Sequence, residues 1–116
     1  MTKIKKVIAI DFDGTITEDS PYPIMGMIRE DAKIYIQKLY EKGYTLILWT
    51  CRSGCYLQEA ESVLKLADIY KYFDYIDSTK IPYPSRKIVA DFYIDNRALM
   101  EPVNWKKIYN YIINNV

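Results

Sequence analysis

Short apolar runs alternate along the chain with longer segments in which apolar residues recur at three- and four-residue steps. The short runs are rich in β-branched and aromatic residues and predict buried strands at residues 7–10, 44–49, 73–76 and 88–94. The longer segments are amphipathic and predict helices over residues 29–42, 56–67 and 104–114. Gly43 directly after the first of them is a typical helix stop.

Strands that alternate with helices of this length predict right-handed β-α-β crossovers and a mainly parallel sheet. We therefore expect a single domain over residues 1–116, a small Rossmann-like three-layer α/β/α sandwich with helices on both faces. No apolar run approaches the roughly 18 residues of a membrane span, and the N-terminus lacks the features of a signal peptide. A cytoplasmic protein without a membrane partner is the expectation.

Composition narrows the possible chemistry. Sixteen Lys and Arg against fifteen Asp and Glu give a net charge of +1, which is no strong nucleic-acid signature. The absence of histidine excludes Ser-His-Asp and Cys-His catalysis and histidine metal sites. Cys51 and Cys55 are spaced neither as a zinc or redox pair nor as a disulfide framework, so they predict reduced thiols. Any catalysis must use carboxylates, Lys, Thr, Cys or Tyr.

The segment Asp11-Phe12-Asp13-Gly14-Thr15 follows the first predicted strand, at the edge where open α/β sheets bind ligands. Its two carboxylates can converge while Phe12 turns back into the core. Two such charges favour a divalent cation, and oxygen ligands suit Mg²⁺. The N–H groups of Gly14 and Thr15 could face an anion. Together these features indicate phosphoryl transfer with an aspartate as the nucleophile.

This segment, placed at a strand end, resembles the first motif of the haloacid dehalogenase (HAD) superfamily of phosphohydrolases. The resemblance implies a HAD-like fold and a Mg²⁺-dependent phosphomonoester hydrolase that forms an aspartyl-phosphate on Asp11. In that family the residue at the position of Asp13 acts as general acid and then as general base, while its main-chain carbonyl ligates the metal.

The second motif of the superfamily is a Ser or Thr that ends the next core strand, and Thr50 matches it. The resemblance implies that the Thr50 hydroxyl and the N–H of Cys51 hold the phosphoryl oxygens. Arg52 next to them either steadies a substrate anion or is solvated. We expect the Cys51 side chain itself to be a small buried filler.

The fourth motif is an acidic residue that ends a later strand, often doubled. Asp95 matches it and is assigned to the metal, whereas Asn96 replaces the usual second acid and would reach the metal through water. Asp91 lies four strand residues earlier, about 13 Å away at the usual rise, and is expected to be structural.

The third motif is a lysine that neutralises the nucleophile and the phosphate, and two residues compete for it. The stretch 87–97 resembles the 5′(3′)-deoxyribonucleotidase-like branch and favours Lys87. Eight extended residues would carry Lys87 some 26 Å from Asp95, so segment 82–88 would have to fold back. Lys80 requires no such fold, because it follows the third predicted strand. Both remain possible.

Relatives that act on small metabolites usually carry a cap domain, and neither segment that could hold one is long enough here. The first lies between Thr15 and the first helix, and the second is 76–86. The open site predicts closure by a short flap or a neighbouring subunit, or a large substrate. Met25, Met27 and Ile28 either serve that flap or pack on the core, and packing is the preferred interpretation.

The predicted partner is a phosphorylated substrate, either a small molecule or the exposed phosphate of a larger one, with a homo-oligomer as one way to cover the site. Two alternatives belong to other classes. One is a receiver-like domain, although the acceptor aspartate of a receiver ends a middle strand and this chain has Thr50 there. The other is a catalytically silent domain that binds phosphate or metal.

Overall fold

A parallel sheet flanked by helices forms the part of the chain that the structure, a computed structural model, describes: residues 6–76, 88–98 and 102–115. The elements in these residues are β1 (Val7–Ile10), α1 (Glu30–Glu41), β2 (Thr45–Leu48), α2 (Gly54–Leu66), β3 (Tyr75–Ile76), β4 (Phe92–Ile94) and α3 (Trp105–Asn114). A single 3₁₀ turn, Tyr70–Tyr72, precedes β3. The α/β class predicted from the sequence is confirmed.

The four described strands are all parallel and lie in the order β3-β2-β1-β4. The first strand of the sequence is therefore internal, with partners on both sides. Ile10 at its end lies opposite Leu48 in β2 and Ile94 in β4. Because parallel strands end at one edge, the residues that follow these three positions emerge side by side.

Side chains alternate between two unequal faces of the sheet. One face bears Ile8, Ile10, Leu46, Leu48 and Ile94. The buried residues of all three helices join this same cluster: Ala32, Ile36, Leu39, Ala60, Leu64, Trp105 and Ile112. The opposite face has a smaller cluster built from Ala9, Ile47 and Ile88. Residues 77–87, which connect β3 to Ile88, lie outside the described residues, so helices on both faces stay a prediction.

The third strand is shorter than the predicted run 73–76. The chain first makes the 3₁₀ turn, and Phe73 closes that turn while it packs into the core. Asp74 then pairs with β2 in both directions: its N–H donates to the Leu46 carbonyl (2.8 Å), and its carboxylate accepts the Leu46 N–H (3.0 Å). The Asp74 carboxylate thus takes the place of one main-chain acceptor in the pairing of β2 with β3.

The fourth strand begins at Phe92 instead of residue 88, and Asp91 explains where it begins. The Asp91 N–H donates to the Val7 carbonyl (2.7 Å), and its carboxylate accepts the Val7 N–H (2.7 Å). This pair joins the amino ends of β4 and β1. The structural role predicted for Asp91 is confirmed, because Asp95 follows the other end of the strand.

The last helix begins one residue later than predicted because Asn104 is its N-cap and accepts the N–H of Lys107 (3.1 Å). Trp105 is fully buried, as predicted, and its indole N–H donates to the Thr15 carbonyl (3.0 Å). α3 is thereby joined to the loop after β1. None of the described helices combines the length and the apolar character needed to cross a bilayer.

Tyr44, between α1 and β2, carries a buried hydroxyl that has no hydrogen-bond partner among the described residues. Burial raises the pKa of this hydroxyl, with a smaller contribution from Tyr109. An unpaired buried hydroxyl costs stability, so we expect Tyr44→Phe to raise the free energy of unfolding by about 1 kcal/mol in urea denaturation.

Tyr70→Phe is the matched control, because the Tyr70 hydroxyl donates to the Glu61 carboxylate at 2.7 Å. We expect that variant to lose roughly 1 kcal/mol. A loss of stability in Tyr44→Phe as well would contradict the prediction and would mean that the Tyr44 hydroxyl has a partner.

Candidate active site

Three strand ends meet at the carboxyl edge of the sheet. The N–H of Asp11 donates to the Ile94 carbonyl (2.9 Å), and the N–H of Trp49 donates to the Ile10 carbonyl (2.9 Å). An open cleft of about 800 Å³ lies here, and most residues of the predicted site line it: Asp11, Asp13, Gly14, Cys51, Asp95 and Asn96. The sequence motifs at the ends of β1, β2 and β4 are therefore neighbours in space.

The turn after β1 is wound around one carbonyl oxygen. The N–H groups of Thr15, Ile16 and Thr17 all donate to the Phe12 carbonyl, at 3.2, 3.0 and 3.2 Å. The Phe12 ring is fully buried in the core, as predicted. Gly14 has φ +75°, and a Cβ there would lie 2.3 Å from the end of the Asn96 side-chain amide. Glycine is therefore required by both the backbone and the neighbour.

The predicted anion cradle of Gly14 and Thr15 does not fit this geometry. The Gly14 N–H donates to the buried Thr17 hydroxyl (3.0 Å), and the Thr15 N–H belongs to the turn around Phe12. Both groups are used within the loop and are not free to bind a substrate anion. The role of Gly14 is conformational.

Asp11 is a half-buried carboxylate in crowded negative surroundings. Burial is the main reason that its pKa rises to about 6, and the charges of Asp95 and, less strongly, Asp13 raise it further. The Thr15 hydroxyl donates to Asp11 Oδ2 (3.2 Å) and opposes the rise. A cation bound beside Asp11 would favour its ionised form.

Asn96 bridges the two halves of the first motif. In the amide orientation that gives both of its polar atoms suitable partners, its NH₂ donates to Asp11 Oδ2 (2.9 Å) and to the Asp13 carbonyl (3.1 Å). Its main-chain N–H donates to the Thr15 hydroxyl (2.9 Å). A second acid at this position would place another negative charge beside Asp11, so the amide limits the charge crowding.

The cleft residues offer oxygen atoms of the kind that Mg²⁺ takes, although three acidic side chains do not converge in the described part of the chain. Among the described residues no group of three Asp, Glu, Cys or His side chains could hold a metal. Asp11 and Asp95 line the cleft, and the Asp13 carbonyl accepts a hydrogen bond from the Asn96 amide at its edge. Two carboxylates and a carbonyl are hard ligands that suit Mg²⁺ with water completing its shell. The donor set fits the predicted metal.

Arg52 differs most from its predicted role. It is 2% exposed, and its guanidinium binds the Asp13 carboxylate with two bonds, Nε to Oδ2 at 2.8 Å and Nη2 to Oδ1 at 2.7 Å. This pairing raises the pKa of Arg52. The side chain is neither solvated nor free to hold a substrate anion, so the predicted substrate contact of Arg52 does not fit this structure. The Asp13 carboxylate is thus held by Arg52.

A hairpin-shaped loop over residues 17–28, closed by a single antiparallel bridge, borders the cleft through residues 19–22. Thr17 and Ile28 form an antiparallel bridge, and the N–H of Glu18 donates to the Met27 carbonyl (2.8 Å). Ile28 packs on the core, as does Met25, which supports the packing interpretation for these two. Met27 is 77% exposed and does not pack.

The second motif follows β2, and its contact with phosphoryl oxygens stays a prediction. The Thr50 hydroxyl accepts the main-chain N–H of Arg52 (3.1 Å), and Cys51 lines the cleft. The expectation that Cys51 is a buried filler is wrong, because its side chain is exposed. Lys80 and Lys87 lie outside the described residues, so the choice between them stays open.

Sequence reasoning missed the contribution of Arg29. Its Nε donates to the Thr17 carbonyl (2.9 Å) and its Nη2 to the Gly14 carbonyl (3.2 Å), so it fastens the loop after β1 to the start of α1. The sequence pattern around Arg29 does not indicate this role, because its contacts are with main-chain atoms twelve to fifteen residues away.

Comparison with known proteins gave structural relatives alone, since no protein-family model and no curated protein matches this chain. An uncharacterized protein from Listeria monocytogenes serotype 4b is 18% identical, with TM-score 0.45 over 95% of this chain and 60% of that one. A conserved protein from Bacteroides thetaiotaomicron is 32% identical, with TM-score 0.79 over 97% of this chain and 93% of that one. At that identity and coverage, this chain belongs to the same family as the conserved Bacteroides protein.

Proposed function

We propose that this protein is a Mg²⁺-dependent phosphomonoester hydrolase of the HAD type, a capless three-layer member that works through an aspartyl-phosphate on Asp11. One observation carries the proposal. Asp11 lies half-buried at the edge of an open cleft, next to Asp95 and the Asp13 carbonyl, with its pKa raised to about 6. Such crowded oxygen atoms suit a cation and a phosphoryl group.

In the proposed reaction an Asp11 oxygen attacks phosphorus while the bond from phosphorus to the leaving oxygen breaks. Asp13 gives a proton to the leaving oxygen, then takes one from the water that hydrolyses the aspartyl-phosphate. Bound Mg²⁺, held by Asp11, Asp95 and the Asp13 carbonyl, would offset the negative charge of the phosphoryl oxygens. The Thr50 hydroxyl and the Cys51 N–H would hold those oxygens.

The motif lysine belongs to the same proposal, with Lys87 favoured by sequence resemblance and Lys80 as the alternative. Its ammonium would stabilise the phosphoryl group and the charge that develops during transfer. The substrate class is a phosphomonoester, either a small molecule or an exposed phosphate on a larger one.

Turnover of 4-nitrophenyl phosphate with and without Mg²⁺ tests the proposal directly. A phosphatase turns over many times, and chelation stops it without unfolding the protein. A receiver-like domain would at most be labelled once by a phosphoryl donor. A silent binding domain would show neither behaviour, and either of these two outcomes would overturn the proposal.

Asp11→Asn should abolish turnover, because the amide keeps the shape of the side chain but cannot attack phosphorus. Asp91→Asn, at the opposite end of the sheet, is the control and should keep its turnover. Near wild-type turnover in purified Asp11→Asn protein would refute the mechanism.

Asp11→Asn should also stabilise the protein in chelator. A carboxyl group whose pKa is raised from 3.8 to about 6 opposes folding once it is ionised, and this cost grows between those pH values. After allowance for solvent screening, the variant should be about 2 kcal/mol more stable than wild type at pH 8. The two proteins should be equal near pH 4. A gain that persists at pH 4 would contradict this cause.

Asp95→Asn should weaken the response to Mg²⁺, because it removes one of two carboxylates from the proposed ligand set. We expect the Mg²⁺ concentration for half-maximal turnover to rise by about tenfold or more. Asp91→Asn should leave that concentration unchanged and lower stability by about 1 kcal/mol, since it loses the contact with Val7. Equal Mg²⁺ responses in the two variants would show that Asp95 is not a ligand.

A further inference from the structure

The buried guanidinium of Arg52 joins the first motif to the hairpin that borders the cleft. It binds both carboxylate oxygens of Asp13, and its Nη2 also donates to the Pro23 carbonyl of the hairpin at 3.0 Å. Its faces lie against two aromatic rings, Phe12 at 5.5 Å and Tyr22 at 5.4 Å from the ring centroids. One cation is thus in contact with the proposed acid and base, the loop core and the hairpin tip.

We infer that Arg52 is the positioning residue of the site: it fixes the direction of the Asp13 carboxylate and holds hairpin 17–28 beside the cleft. This inference rests on the proposed function, in which Asp13 transfers the protons. It assigns Arg52 no contact with substrate.

Two parallel N–H···O bonds define the plane of the Asp13 carboxylate, which a single bond would leave free to rotate. Each carboxylate oxygen has two lone pairs, and Arg52 occupies one on each. A quarter of the Asp13 side chain stays exposed, and Asp13 lines the cleft. The carboxylate is therefore held on one side and remains accessible from the other.

The same contacts tie the hairpin to this carboxylate. Tyr22 lies on the Arg52 guanidinium and packs edge-on against Tyr56 of α2, with ring centroids 6.1 Å apart. A Lys side chain could neither form the two parallel bonds nor present a flat face to Tyr22. Loss of the guanidinium should consequently disturb Asp13 and the hairpin together.

The dependence of activity on the leaving group distinguishes a role of Arg52 in positioning Asp13 from a general loss of protein stability. 4-Nitrophenolate leaves without a proton, whereas the alkoxide of glycerol phosphate needs one, so a defect in Asp13 slows the alkyl substrate more. Asp13→Asn should show this difference, and so should Arg52→Lys. In Arg52→Lys we expect kcat/KM to fall about tenfold more for glycerol phosphate than for 4-nitrophenyl phosphate. The double variant should match Asp13→Asn to within roughly threefold, because both changes act through one group.

Arg29→Lys is the matched control. Arg29 also donates to main-chain oxygens of this loop, but it does not touch the Asp13 carboxylate. Arg29→Lys should lower kcat/KM for both substrates by the same factor. Equal losses on both substrates in Arg52→Lys, or a double variant whose loss is the product of the single losses, would overturn the positioning role.

Hydrogen exchange gives a readout that does not need turnover. The Glu18 N–H, which bonds the Met27 carbonyl, should exchange at least about tenfold faster in Arg52→Lys than in wild type, while amides of β1 stay protected. Unchanged hairpin exchange would refute the hairpin role. A wild-type protein without any phosphatase activity would refute the proposed function and the Asp13 role with it, and the exchange result would still decide the hairpin role.

Discussion

The parallel pairing of β1 on both sides is the constraint on which the site depends. Its two neighbours fix where the chain leaves the sheet, so Asp11 and Asp95 emerge beside each other although 84 positions separate them in the sequence. Two carboxylates repel each other when both are ionised, so they do not favour this arrangement by themselves. The hydrogen bonds and apolar contacts of the sheet impose the proximity, and burial together with the charge of Asp95 raises the pKa of Asp11.

The three carboxylates of the candidate site have different surroundings. Among the described residues, Asp13 is paired with the buried Arg52 guanidinium, whereas Asp11 accepts hydrogen bonds from neutral groups such as the Thr15 hydroxyl and the Asn96 amide. A buried ion pair is a weak source of net stability but a strong source of fixed geometry. The site therefore combines Asp13, a carboxylate of fixed direction, with Asp11, whose pKa is raised by burial and by the neighbouring charge of Asp95.

The sequence predicted correctly those features that depend on residues close together in the chain. Buried strands, helix faces and the position of Asp11 followed from short-range pattern, and the burial of Phe12 and Trp105 was correctly predicted. The role of Arg52 could not follow, because its partner lies 39 positions away and local pattern does not reveal which charge a side chain will meet. Strand lengths were overestimated for a related reason, since Asp74 and Asp91 substitute side-chain bonds for ladder bonds.

The bond from the Trp105 indole to the Thr15 carbonyl has a consequence for biosynthesis. The loop that carries Asp11 and Asp13 is made early, but one of its tertiary contacts is with a residue made 90 positions later. Because domains acquire their packing as the chain emerges, the contact between this loop and α3 forms only after residue 105 has left the ribosome. Nascent chains would thus contain every residue of the first motif while lacking the finished site.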